Sequence, residues 1–236
     1  QLKIEQQNEI LESQTLQLQE LDKVKTRFFT NISHEFRTPL TLILGPAEQL
    51  LLSASSDTQR LHLSRIMQNA TNLMELINQL LDISKIEQGL VKLRFCHANI
   101  TDEMAYITEM FSTVAHDKGI GLRFMSLLNP AEGYFDKEKI ERILFNLISN
   151  ALKNTEKGEV KITLTSSDKP DHIRISVSDT GKGIEKDKIP FIFDRFYTTE
   201  NTSSGIKASS GIGLAYTKEL IKIYKGNIRI DSEIGL

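Results

Sequence analysis

A histidine and a glutamate stand side by side in Ser33-His34-Glu35-Phe36-Arg37-Thr38-Pro39-Leu40. A neutral imidazole, with an unperturbed pKa of about 6.5, is a nitrogen nucleophile, and an adjacent carboxylate can orient it or accept its other ring proton. Downstream, Asn146, Asn150 and Lys153 fall at i, i+4 and i+7, on one face of a predicted helix. Amide oxygens are hard neutral ligands suited to Mg²⁺, and a nearby ammonium neutralises phosphate. In Asp179-Thr180-Gly181-Lys182-Gly183-Ile184 a carboxylate able to accept from an amine precedes two glycines that let the backbone approach a ligand. In Ser209-Ser210-Gly211-Ile212-Gly213-Leu214-Ala215 two glycines open a helical pattern, where free N–H groups can receive phosphate oxygens. Each stretch alone has a commonplace explanation: a solvated helix face, a strand-ending turn, a glycine before a helix.

These groups need elements to hold them. Phe29, Ile32, Phe36 and Ile43 recur at spacings that predict one buried helical stripe. At about 100° per residue His34 lies roughly 160 to 200° from Ile32 and Phe36, so its ring is expected to face solvent, with Thr38 one turn along. Pro39 has no N–H for the Glu35 carbonyl and is expected to weaken or kink the helix. Upstream, Ile4, Leu11 and Leu18 repeat every seven residues and Leu21 and Phe28 continue a companion seam interrupted by Gln7 and Gln14, as in a weak two-stranded coiled coil. The helix is expected to run to about Leu52, with a turn over Ser53 to Asp57. Leu63, Ile66, Ala70, Leu73, Ile77, Leu80 and Ser84 then alternate spacings of three and four along a second helix. Such a hairpin buries both stripes only by pairing into a four-helix bundle. Beyond Gly89, runs at Leu90–Phe95, Leu122–Leu128, Val160–Thr165 and Ile173–Val177 read as strands, and 101–117 and 136–154 as helices, giving an α/β sandwich.

The bulk numbers bound the function. At 236 residues and 39% hydrophobic content the chain suits two modest globular domains. A net charge of −2, from 29 basic and 31 acidic residues, gives no electrostatic case for nucleic acid as a partner. A single cysteine, Cys96, excludes disulfides within the chain and cysteine-based zinc sites, and fits a reducing cytoplasmic setting. No apolar run reaches the roughly 18 to 20 residues that span a bilayer. The chain opens at Gln1 within a helical pattern, so it reads as a piece of something longer, with any membrane segment upstream.

Taken in order, the motifs resemble those of the sensor histidine kinases: a phosphoacceptor box at 31–40, an Asn box at 141–155, glycine boxes at 179–184 and 209–215, and an aromatic box, Phe191-Ile192-Phe193-Asp194-Arg195-Phe196-Tyr197, between them. The resemblance implies a coiled-coil linker helix over 1–21 and a dimerisation and histidine-phosphotransfer hairpin over 22–88. A catalytic ATP-binding domain of the GHKL type follows over 89–236, with a mixed sheet backed by helices. It also implies ATP and Mg²⁺ as cofactors. Asn150 would be the metal ligand, Asn146 would assist at metal or phosphates, and Lys153 would contact phosphate. Asp179 would bind the adenine amino group, with Gly181 and Gly183 shaping that pocket. Gly211, Gly213 and Leu214 would place a lid hinge and a helix N-terminus near the phosphates, the lid covering about Thr198 to Ala208.

The implied activity is ATP-dependent phosphorylation of His34, aided by Glu35, with transfer of the phosphoryl group to an aspartate of a response-regulator receiver domain. Thr38 matches the position that aligns water for dephosphorylating that regulator. The implied assembly is a homodimer in the cytoplasmic portion of an inner-membrane sensor. The wording from Phe29 to Pro46 resembles hybrid kinases, in which a receiver domain follows in the same chain. Three departures stand out: Asn154 replaces an aromatic of many relatives, Ser209 replaces the first glycine of its box, and the chain stops at Leu236 before a closing Gly-Thr-x-Phe strand. The alternative is a catalytically weak nucleotide-binding module that relays conformation. A GHKL ATPase acting on DNA or a client protein would leave the His34 box unexplained.

Overall fold

The structure, a computed structural model, describes residues 2–128, 131–169, 172–198 and 210–234. It forms two compact units, Gln1–Val91 and Lys92–Leu236. Among the described residues no helix is long and apolar enough to cross a membrane.

The first unit is a hairpin of α1 (Leu2–Ser53) and α2 (Asp57–Glu87). Ser56 starts α2 because its extended backbone lets the hydroxyl accept the Gln59 N–H at 3.2 Å. Gly89 terminates it in the left-handed conformation, with Gly89 N–H on the Ile86 carbonyl and Leu90 N–H on the Lys85 carbonyl. Among the described residues of the hairpin, α1 buries Ser33, Leu40 and Ala47 at heptad spacing and α2 buries Ala70, Ile77 and Ser84 at the same spacing, with Leu81 and Ile83 also buried near the end of α2. Of the expected stripe, Phe36 and Ile43 are 50% and 47% exposed in the single chain, and Leu50, Ile66 and Leu73 join them. The heptads carry two apolar rows, and one hairpin has a partner for only one of them. The side chains of Ile4, Leu18, Leu21, Phe28 and Phe29 lie outside those described. The kink expected at Pro39 does not interrupt α1, which stays helical through Pro39 and Pro46. Both prolines are exposed, so solvent can replace the donor each one lacks.

The second unit is a two-layer sandwich. In its main sheet β2 (Ile120–Ser126) runs parallel to the central β4 (Gly158–Ser166), which pairs antiparallel with β5 (Ile173–Asp179). Strand alternation turns Val160, Ile162 and Leu164 of β4 fully inward. Each such burial stabilises by about 1.5–3 kcal/mol. They meet Met104 and Ile107 of α3 (Ile100–Glu109) and Leu144, Ile148 and Leu152 of α5 (Lys137–Asn154). A small ribbon pairs β1 (Cys96–Asn99) with β3 (Glu132–Phe135). The chain closes with α6 (Gly213–Ile223).

Several expectations shift. The strand expected over Leu90–Phe95 begins instead at Cys96, because the Arg94 N–H is engaged by the Asp136 carboxylate at 2.8 Å and Phe95 meets Tyr224 edge-on. The helix expected over 101–117 divides into α3 and α4 (Ser112–Asp117), the turn between them sending Phe111 inward against Phe145 at 4.5 Å. β3 had no counterpart in the sequence reading, since its four residues show little alternation and its partner is distant in the chain.

Asp136 ties these parts together. Its side chain caps α5 by accepting the Lys139 N–H at 3.2 Å and also takes the Arg94 N–H, while its own N–H and carbonyl both bond the Tyr224 hydroxyl at 3.0 Å. Burial pushes the Tyr224 pKa up from the ordinary 10.0 to about 12. The unfolded chain therefore releases this proton first as pH rises. Stability from holding Tyr224 neutral is intact below pH 10 and is lost between pH 10 and about 12. Urea titrations across that range are expected to show a steeper fall in midpoint for wild type than for Tyr224→Phe, and Tyr224→Phe to be the less stable protein at neutral pH.

Candidate functional site

The site grows out of α5. One side of this helix, with Ile140, Leu144, Ile148, Ala151 and Leu152, packs into the core. Its N-terminus is capped by Asp136, and its C-terminal Leu152 carbonyl accepts the Lys118 ammonium at 2.7 Å, where the helix dipole favours a cation. With rotation and both ends fixed, Asn146, Asn150 and Lys153 sit half-buried along a second face.

Asn146 reaches α6. Its amide nitrogen donates to the Gly213 carbonyl and to the Thr217 hydroxyl, the latter at 3.0 Å. One turn earlier Arg142 donates to the Tyr216 hydroxyl at 3.1 Å. Gly213 and Leu214 form the first turn of α6, which has no side-chain cap, so its leading N–H groups suit an anion. Before it, Gly211 is left-handed, and its carbonyl accepts the Phe196 N–H at 2.9 Å. The aromatic box is thereby joined to the last glycine box, and Lys218 of α6 stands 5.4 Å from the centre of the Phe193 ring. Of the expected lid only Thr198 falls within the described residues, and Ser209 lies outside them.

The other end of α5 meets the first glycine box. Asp179 ends β5 exposed, one carboxylate oxygen accepting the Gly181 N–H at 2.9 Å. The Asn154 carbonyl lies so close to Gly181 that an added Cβ would clash with it, and it accepts the Lys182 N–H at 3.4 Å. The Asn154 carboxamide is turned back onto its own helix, donating to the Asn150 carbonyl at 2.8 Å. Among the described residues the Asn150 carboxamide has no hydrogen-bond partner. Gly183, left-handed at φ +72°, rests against the Glu233 carbonyl, and Ile184 N–H donates to Ser232 Oγ at 2.9 Å.

Asn146, Asn150, Lys153, Asp179, Gly181, Gly183, Gly211, Gly213 and Leu214 therefore gather around one helix. Their chemistry fits a nucleotide: an exposed carboxylate for an exocyclic amine, an uncapped helix end and a lysine for phosphate, a free amide oxygen for a cation. Among the described residues no three His, Cys, Asp or Glu converge as metal ligands. A cation here would rely on water and phosphate oxygens beside Asn150, as Mg²⁺ does. His34, Glu35 and Thr38 belong to the first unit. Glu35 and Thr38 are exposed on α1, and Arg37 between them donates to Asn78 of α2 at 3.0 Å. The His34 side chain lies outside those described. Sequence reading passed over Asp136, Arg142, Tyr216 and Thr217. The available signal was a threonine interrupting the apolar side of α6.

Two family models match the chain: the His Kinase A (phospho-acceptor) domain over residues 24–89, and the histidine kinase-, DNA gyrase B- and HSP90-like ATPase over 135–236. The chain is 37% identical over 97% of its length to hybrid signal transduction histidine kinase D of Dictyostelium discoideum, covering 15% of that protein. It is 30% identical over 92% of its length to the autoinducer 2 sensor kinase/phosphatase LuxQ of Vibrio cholerae, covering 26% of it. The crystal structure of full-length ShkA in complex with AMPPNP superposes with a TM-score of 0.74 at 30% identity, over 88% of this chain and 43% of that one. The chain thus spans less than half the length of these relatives.

Gly183→Ala would force a side chain into the left-handed region and onto the Glu233 carbonyl. The expected loss is about 2 kcal/mol, seen in calorimetry as a fall of roughly 4–8 °C in the Tm of the second unit. Gly133→Ala, where an added Cβ meets nothing within 4 Å, is the matched control and shifts Tm by no more than about 2 °C.

Proposed function

The chain belongs to the sensor histidine kinases, and from that premise we propose that it phosphorylates its own His34 from Mg²⁺-bound ATP and passes the phosphoryl group to an aspartate of a response-regulator receiver domain. The observation that carries the reading is the convergence on α5 of the Asn box with both glycine boxes, through Asn146 at Gly213 and Asn154 at Gly181. Asn150 would hold the metal, Lys153 the phosphates, and Asp179 the adenine amine.

Neutral His34 attacks the γ-phosphorus. A nitrogen–phosphorus bond forms as the bond to the ADP oxygen breaks, and Glu35 accepts or orients the other ring proton. Phosphohistidine then donates to the receiver aspartate, in trans or within a longer chain. The exposed hydroxyl-bearing position one turn from His34 suits Thr38 to direct water at the phosphorylated regulator, so the same helix face would serve both transfer and removal. The domain limits that fit this reading are a linker helix over 1–21, the phosphotransfer hairpin over 22–88 and the catalytic domain over 89–236.

The unpartnered heptad row supports a homodimer. Phe36, Ile43 and Leu50 on α1 and Ile66 and Leu73 on α2 repeat every seven residues and are exposed in one hairpin. A second hairpin would complete a four-helix bundle around them.

Incubation with γ-labelled ATP and Mg²⁺ is expected to leave acid-labile, base-stable label on wild type and none on His34→Gln. Label persisting in His34→Gln removes the assignment. Thr38→Ala is expected to keep the label while dephosphorylation of the regulator is lost. Leu73→Asp, placing a charge in the open row, is expected to shift the mass seen by analytical ultracentrifugation from dimer to monomer.

A further inference from the structure

We propose that Thr217 is a positioning residue for the nucleotide phosphates. Its hydroxyl fixes the Asn146 carboxamide, and through it the spacing between the open end of α6 and the face of α5 carrying Asn150 and Lys153. The inference rests on the ATP-site reading above. Thr217 is fully buried on the second turn of α6, among Ala215, Tyr216 and Leu220. A buried hydroxyl without a partner is costly, and this one accepts from Asn146 Nδ2 at 3.0 Å. The same amide nitrogen faces the Gly213 carbonyl. A carbonyl only accepts, so the atom against it must be the nitrogen, and Asn146 Oδ1 is left as the accepting atom of that side chain.

The two helices also touch as closely as they can. A Cβ added at Gly213 would strike the Asn146 carboxamide. Asn146 stands one turn before Asn150 on α5 and grips the first turn of α6, whose N–H groups no side chain caps. Arg142 and Tyr216 link the same helices one turn further back. Removing the Thr217 acceptor leaves a donor of Asn146 unmatched and its amide held by the Gly213 carbonyl alone. The spacing between the end of α6 and Asn150 is then held less firmly, while Asp179 at the end of β5, whose carboxylate accepts the Gly181 N–H, is untouched.

The test compares binding of Mg²⁺·AMPPNP and of adenosine by the full chain, by calorimetric titration, in wild type, Thr217→Val and Thr217→Ser. Thr217→Val keeps the shape and removes the acceptor. It is expected to weaken the phosphate-bearing ligand about tenfold, the loss of one buried hydrogen bond, and adenosine by less than about twofold. Thr217→Ser is expected to restore binding to within about threefold of wild type. Unchanged AMPPNP binding by Thr217→Val, an equal loss for adenosine, or no rescue by Thr217→Ser overturns the assignment. Thr217→Ala substitutes for Thr217→Val should the latter not fold, and is judged by the same two ligands. Wild-type protein that binds neither ligand strikes the nucleotide reading itself, whereas wild-type binding with an unaffected valine variant removes only the role of Thr217.

Discussion

Helix α5 has one rotation about its axis at which Ile148 and Leu152 reach the sheet while Asn146 reaches α6, and the second unit depends on that rotation. Packing selects it: the inward side chains of β4 leave room for aliphatic groups on one side only. Polar contacts then hold it at both ends, with Asp136 capping the N-terminus and Lys118 on the terminal carbonyl. Asn146, Asn150 and Lys153 inherit their positions from this arrangement. A helix turned by one residue would send the amides into the core, where they have no partners.

Asp136 extends that constraint beyond α5. One buried carboxylate receives backbone N–H groups from Arg94 and Lys139, and its own peptide is bracketed by the Tyr224 hydroxyl from the end of α6. The segment leading into β1, the helix bearing the Asn box and the helix after the last glycine box are thus cross-linked through one residue. The glycine boxes join from the other side, because Gly181 and Gly213 let neighbouring groups from α5 approach where a Cβ would not fit. The site is assembled from segments far apart in the chain, and its precision comes from contacts among helices and turns rather than from any one motif.

The first unit follows a different rule. A heptad repeat supplies two apolar rows, and the hairpin uses Ser33, Leu40 and Ala47 against Ala70, Ile77 and Ser84. Small residues occupy four of these six positions, allowing α1 and α2 to lie close. The larger residues, Phe36, Ile43, Ile66 and Leu73, form the open row.

By itself the sequence determined everything that depends on local periodicity and local chemistry. The two long helices, the Ser53 to Asp57 turn, three of the strands, α5, and the identity of the histidine, amide, carboxylate and glycine groups were legible, because each rests on spacings within a few turns or on a residue's own functional group. Tertiary structure alone decided which heptad row faces inward, since Ile43 and Leu40 are equally apolar and only the neighbouring helix distinguishes them. It also decided the late start of β1, the pairing of β3, the turn at Phe111 and the contacts of Asp136 and Thr217. Those outcomes depend on partners tens of residues away, which local spacing does not specify.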